Sequence, residues 1–186
     1  MSGITPSQTV GPYFGIMLRG RNTCRQLSEA TAGAPIIIEG RLFDGRGTVI
    51  PDALVETWQA DAHGRYLHPD DPGSADADRH FNGYGWAHTG GDGGYRFDTV
   101  KPGRVVAPDG ALQAPHILIS VMARGILTRF VTRLYFEDEA SNAEDPILAL
   151  VPAQRRATLI ARRAGDDRYT FDIVMQGTGE TVFFDV

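Results

Sequence analysis

Short apolar runs, rich in β-branched and aromatic residues and bounded by Gly, Pro or Asp, recur along this chain. The strongest are Ile36 to Phe43, Leu54 to Gln59, His116 to Ala123, Thr128 to Phe136, Tyr169 to Gln176 and Thr181 to Asp185, and each predicts a β-strand. In the fifth run Tyr169, Phe171, Ile173 and Met175 fall on one face and Thr170 and Asp172 on the other. That period of two predicts a half-buried antiparallel strand. Tyr95-Arg96-Phe97 adds another strand after a glycine-rich stretch. Two helical pieces are expected: Pro152 to Arg163, where Pro152 suits a first turn, and a shorter one from Asn22 to Leu27. The expected fold is all-β, a sandwich or barrel of mixed, mostly antiparallel strands with minor short helices. Residues 1–35 are expected to form an irregular N-terminal arm and 36–186 the sandwich, as a single domain. Residues 70–80 (DDPGSADADRH) read as a polar loop.

Composition narrows the function classes. The 186 residues, 42% hydrophobic and 22% charged, suffice for one ordinary core. A net charge of −5 gives no field toward nucleic acid or an anionic membrane, so neither partner is expected. An anionic ligand would be held by local arginines. No apolar run reaches the ~20 residues of a membrane helix. One cysteine, Cys24, cannot form an internal bridge, and Met1 to Val10 lacks a basic stretch followed by an apolar one. A cytoplasmic location is the expectation.

Several chemical readings fail on spacing. The stretch GYGWAHTGGDGGY (83–95) has no Gly-Lys-Ser/Thr after it and leads into a strand, so its glycines read as turns rather than a phosphate cradle. Asp70, Asp71, Asp76 and Asp78 lack EF-hand spacing and a closing glutamate, which makes a solvated loop the better reading. The arginine pairs Arg155/Arg156 and Arg162/Arg163 read as a solvated face. No serine sits in a Gly-x-Ser-x-Gly elbow, and Cys24 has no activating context.

The histidines and tyrosines carry more. His116, Leu118, Ser120 and Met122 share one face of the strand HILISVMA. A strand presents two imidazoles to one metal by spacing them two apart, but the second position is Leu118. Tyr66, in GRYLH (64–68), offers a phenolate suited to ferric iron. One imidazole and one phenolate are too few for a tight site. Taken alone, His116 is more often a hydrogen-bonded interior histidine than a ligand.

The runs ALVETWQADAHGRYLHPDD (53–71), FNGYGWAHTGGDGGYRFDTVKPG (81–103), APHILISVMARG (114–125), TRLYFEDE (132–139), DPILALVP (145–152) and YTFDIVMQGTGETVFFDV (169–186) together resemble the intradiol ring-cleaving dioxygenase family, in order and over nearly the whole chain. In that family a ferric ion is held by two tyrosines and two histidines. The resemblance places Tyr66 and His116 at two of these positions. Val105, in KPGRVVA, stands where a second tyrosine is usual, and Leu118 where the second histidine is. Gln113 replaces an arginine usual three residues before the first histidine, and Trp86 replaces one in the glycine-rich motif. These four positions (Tyr66, Val105, His116, Leu118) read as vestigial, and apolar replacements suggest a site repacked as core.

The opening TPSQTVGPYF (5–14) and the ending GETVFFDV resemble the non-metal chain of two-chain family members. The resemblance implies no metal in this chain and Fe(III) bound by a partner subunit of the same fold. It implies that protocatechuate and O₂ meet at a shared site, yielding 3-carboxy-cis,cis-muconate. Thr9, Gly11, Pro12 and Tyr13 match positions lining the partner's pocket, with Gly11-Pro12 letting main chain approach a flat ring. Arg124 matches an arginine near the substrate carboxylate; the plainer reading is a surface turn residue. Two alternatives stand beside this one: a self-sufficient enzyme using Tyr66 and His116, with His88 as an optional third ligand, and a non-catalytic β-sandwich binding module.

Overall fold

The computed structural model describes residues 23–185. The alternation of apolar and polar positions resolves into eleven strands and one short α-helix among the described residues. In chain order these are β1 (Pro35–Phe43), β2 (Leu54–Gln59), β3 (Tyr84–His88), β4 (Gly94–Val100), β5 (Val105–Val106), β6 (Leu112–Gln113), β7 (His116–Met122), β8 (Phe130–Phe136), α1 (Pro146–Leu150), β9 (Ile160–Arg163), β10 (Arg168–Thr170) and β11 (Ile173–Val174). β7 lies between β2 and β8, antiparallel to both, and β3 pairs with β2. β1 takes β4 antiparallel on one side and β10 then β11 on the other, both parallel. β9 joins the two groups by pairing parallel with β8 and antiparallel with β10. The outcome is the expected all-β fold, a nearly closed sheet around one main core.

Alternation along β7 sets that core. Ile117, Ile119 and Val121 are fully buried against Ile38, Leu42, Val55, Phe97 and Phe171. His116, Leu118, Ser120 and Met122 face the other way, onto the outer surface of the sheet. A smaller cluster of Ala114, Tyr135, Leu148, Val151 and Leu159 closes part of that outer surface.

Three expected elements differ. The run Tyr169 to Gln176 is not one antiparallel strand: it is broken into β10 and β11, both parallel to β1. The break falls where Phe171 passes Gly40, at which a Cβ would strike the Phe171 carbonyl oxygen. The Tyr95 hydroxyl donates to that same oxygen, and Asp172 Oδ1 accepts the Arg41 amide at 2.8 Å. Pro152 to Arg163 is a 3₁₀ segment, Ala153–Leu159, followed by β9, because Ile160 and Ala161 pair with Tyr135 and Phe136. Arg156 donates to the carbonyls of Val151 and Ala149, Arg155 to Glu180, and Arg162 and Arg163 pair with Glu137 and Asp166. The helix expected from Asn22 to Leu27 is extended over its described part. Thr23 and Gln26 amides donate to Trp86 and Asp98 carbonyls, drawing the segment between β3 and β4. Of Thr181 to Asp185, only the bridge of Phe184 to Val131 is paired. No helix among the described residues is long and apolar enough to cross a membrane.

The buried Asp145 carboxylate ties these parts together. It accepts the Ile147 and Leu148 amides (3.0 and 2.7 Å) as the cap of α1, the Tyr135 hydroxyl (3.0 Å), and the Ala114 amide (2.8 Å) just before β7. Asp145→Ala leaves these donors unmet and is expected to cost about 3 kcal/mol or more. Urea unfolding measures this; a loss under about 1 kcal/mol would show that the donors find other partners.

Candidate functional site

A cavity of about 650 Å³ opens on the outer face of the β2–β7–β8 sheet. Its wall includes Trp58 of β2, Tyr66, Val105 of β5, Gln113 of β6, His116 of β7 and Arg133 of β8. Strand register dictates this grouping. Leu118 sits directly between Trp58 and Arg133 in the ladder, and His116 lies opposite Tyr135. The structure therefore brings Tyr66, Val105 and His116 to one cavity, with Leu118 on the same sheet face.

The loop carrying Tyr66 is held from beneath. Buried Asp61 accepts the His63, Arg65 and Asp78 amides at 2.8, 3.0 and 2.8 Å. Gly64 has φ +76°, and a Cβ there would collide with the Arg104 carbonyl oxygen, so this glycine lets the Tyr66 loop lie against the segment leading to Val105. Asp71 accepts the Tyr66 and Gly73 amides at 2.6 and 2.7 Å, and Asp78 those of Ala32 and His80, both at 2.8 Å. These last two amides hold the Asp78 carboxyl below the usual range. Half of the acidic loop thus serves backbone amides. Among the described residues, no group of three or more His, Cys, Asp or Glu side chains is placed to hold a metal.

The side chains at the cavity are tuned toward neutrality. Tyr66 stacks on Trp58 with centroids 5.6 Å apart and an interplanar angle of 13°. Burial pushes its phenol pKa up, against the opposing pull of the Arg133 charge. His116 is buried, with Nδ1 2.8 Å from the Ala114 carbonyl oxygen and its ring 5.9 Å from that of Tyr135. Burial, reinforced by Arg133, lowers its pKa to about 4. A ferric ion held by two phenolates and two imidazoles does not fit these residues. Val105 and Leu118 supply no donor, and the Arg133 guanidinium adds positive charge beside the two groups that remain.

Arg133 was not singled out by the motif reading. Its Nη1 donates to Gln113 Oε1 at 2.6 Å and to the Tyr135 hydroxyl at 3.5 Å. A guanidinium thus sits at the side chain that replaced the family's usual arginine. The available signal was the position of Arg133 in TRLYF, two residues before Tyr135 on the same strand face.

Other expected residues lie elsewhere. His88 packs edge-on against Trp86 at the Met122 end of the sheet, roughly 20 Å along the strands from His116. It cannot join Tyr66 and His116, which leaves the self-sufficient alternative with those two side chains. Arg124 lies on an exposed turn roughly 25 Å along β7 from His116, its side chain 73% exposed and 4.0 Å from Asp52. Thr9, Gly11, Pro12 and Tyr13 lie outside the described residues.

A β-sandwich with a phenol and an imidazole gathered on one outer sheet face agrees with a family model described as Dioxygenase, which matches residues 10–177. The chain belongs to the intradiol ring-cleaving dioxygenase family. It is 46% identical to the protocatechuate 3,4-dioxygenase alpha chain of Burkholderia cepacia, over 98% of this chain and 97% of that protein. The beta chain from the same organism is 38% identical over 80% of this chain and 67% of its own length. Among solved structures, the dioxygenase domain of a carbohydrate-binding fusion protein from Streptomyces sp. SirexAA-E superposes with a TM-score of 0.62. That match has 28% identity and covers 94% of this chain and 99% of that one.

The low pKa of His116 has a consequence for stability. An unfolded histidine titrates near about 6.5, so between there and about 4 the unfolded chain binds the extra proton. This contribution is fully present above the unfolded pKa and is lost as pH falls toward the folded one. Between about pH 7.5 and about pH 5, folding should lose roughly 2 kcal/mol through this residue. Urea midpoints of wild type and His116→Gln at both pH values check this; equal pH dependence in the two would locate the effect elsewhere.

Proposed function

We propose that this chain is the non-iron subunit of a two-chain protocatechuate 3,4-dioxygenase. A homologous partner of the same fold binds Fe(III), and this chain contributes pocket walls and the assembly surface. The observation that carries this is the cavity: Val105 lines it without a donor atom, Leu118 stands on the same sheet face between Trp58 and Arg133, and Arg133 adds a cation. Similarity to both an alpha chain and a beta chain supports the pairing. The reaction of the complex breaks the ring bond between the two hydroxylated carbons of protocatechuate. Both atoms of O₂ enter the product, 3-carboxy-cis,cis-muconate.

In this reading Thr9, Gly11, Pro12 and Tyr13 reach the partner's pocket, where a Gly-Pro pair admits a flat ring close to the main chain. Arg124 faces the substrate carboxylate across the interface. Its exposure and its long 4.0 Å contact with Asp52 support this, since the guanidinium remains available to an anion. The lone Cys24 supports a cytoplasmic location.

Iron bound by tyrosinates is coloured, so the two chains separate by eye and by metal analysis. The full chain purified alone should be colourless and free of stoichiometric iron, and co-expression with the iron-bearing chain should give a coloured, active complex. A stoichiometric iron signal from this chain alone would sink the proposal, and failure to form any complex would favour a stand-alone binding module. In the complex, Arg124→Ala should raise KM for protocatechuate roughly tenfold while leaving KM for catechol nearly unchanged. An equal rise for both substrates would remove Arg124 from the carboxylate.

A further inference from the structure

The cavity described above holds a charge that no carboxylate among the described residues pairs with. Arg133 is half-buried, and among the described residues it makes no ion pair. Both of its hydrogen bonds leave from Nη1, to Gln113 and Tyr135, so Nε and Nη2 have no protein acceptor among the described residues. The neighbouring arginine, Arg104, is satisfied by Glu144 at 3.2 Å and the Leu112 carbonyl at 3.2 Å. A partly desolvated guanidinium with free donors is a site for a planar oxyanion, which it meets with two parallel N–H bonds.

The acids nearest the cavity do not fill that role. Asp71 is turned to the Tyr66 and Gly73 amides. Asp70 lies at the rim, its side chain 93% exposed and 3.7 Å from His68. Asp145 reaches Arg133 only through the Tyr135 hydroxyl. Beside Arg133 the wall is mainly apolar or aromatic, with the stacked Trp58 and Tyr66 rings, Val105 and Pro108, while Arg65 and His68 lie in the loop that carries Tyr66. A volume of about 650 Å³ accommodates a substituted benzene ring. Flat apolar walls beside the half-buried Arg133 suit a ligand that is both aromatic and anionic, and the second arginine of the lining, Arg65, lies against Gly73.

We propose that this cavity binds an aromatic carboxylate without a metal, with the carboxylate on Arg133 and the ring between Trp58, Tyr66 and Val105. His116 and Tyr66, both neutral, offer hydrogen bonds without adding charge. The site needs only this chain's own residues, so it stands whether or not the subunit reading above holds.

Titration calorimetry with benzoate, and fluorine NMR with 4-fluorobenzoate, test the proposal on the full chain. Saturable binding at one site per chain is expected. Arg133→Gln should weaken it at least tenfold, and Val105→Trp, which fills the cavity from β5, should abolish it. Arg162→Ala, at an exposed arginine paired with Glu137, should leave it unchanged. Acetate and inorganic phosphate should bind at least tenfold more weakly than benzoate. In a complex with an iron-bearing partner, Val105→Trp should remove one benzoate site per copy of this chain and leave the iron spectrum unaltered. Absence of saturable benzoate binding overturns the proposal, as does binding untouched by Val105→Trp. Equal affinity for acetate or phosphate overturns the aromatic assignment. Circular dichroism checks each variant; should Arg133→Gln fail to fold, Val105→Trp alone decides.

Discussion

The buried carboxylate of Asp145 is the point on which the outer face of this molecule depends. Its two oxygens cap α1, hold the Tyr135 hydroxyl and receive the Ala114 amide. Four donors from three parts of the chain are thereby fixed around one charge with no exposure to water. Ala114 in turn presents its carbonyl to His116, whose ring rests against Tyr135. The position of the histidine, the start of β7 and the edge of the cavity therefore follow from one set of hydrogen bonds. The inter-sheet core does the heavier work of stability, but it leaves the outer face unspecified.

Much of the architecture was legible because β-branched runs with a period of two have few other solutions. Leu54 to Gln59 became β2 with those bounds, and His116 to Ala123 became β7 with one residue fewer. The misread segments share a cause: tertiary contacts decided what local pattern left open. The periodicity from Tyr169 onward is genuine, yet Gly40 and the Tyr95 hydroxyl break the run at Phe171, and β1 accepts it in parallel. Helix-favouring Ala and Arg residues near Arg155 give only a 3₁₀ segment, since burial of Ile160 and Ala161 beside β8 requires extended chain. Strand direction and partner are not written in a period.

The cavity was legible in its losses and not in its gain. Val105 and Leu118 can be read as missing donors from motif positions alone. Arg133 cannot, because its significance lies in a neighbour across the ladder and in Gln113 on a different strand. The resemblance recorded an arginine replaced by glutamine. The structure shows a guanidinium reaching the same glutamine from β8. Sequence position and spatial position of the charge have come apart, and only the second determines electrostatics.

The guanidinium at Gln113 also limits what this cavity can hold. A tyrosine at 105 and a histidine at 118 would supply donor atoms but leave a permanent cation where another cation would have to sit. Arg133 would have to go first, and its loss strands the Gln113 carbonyl that it satisfies. Metal binding at this cavity would therefore require changes at 105, 118 and 133 together.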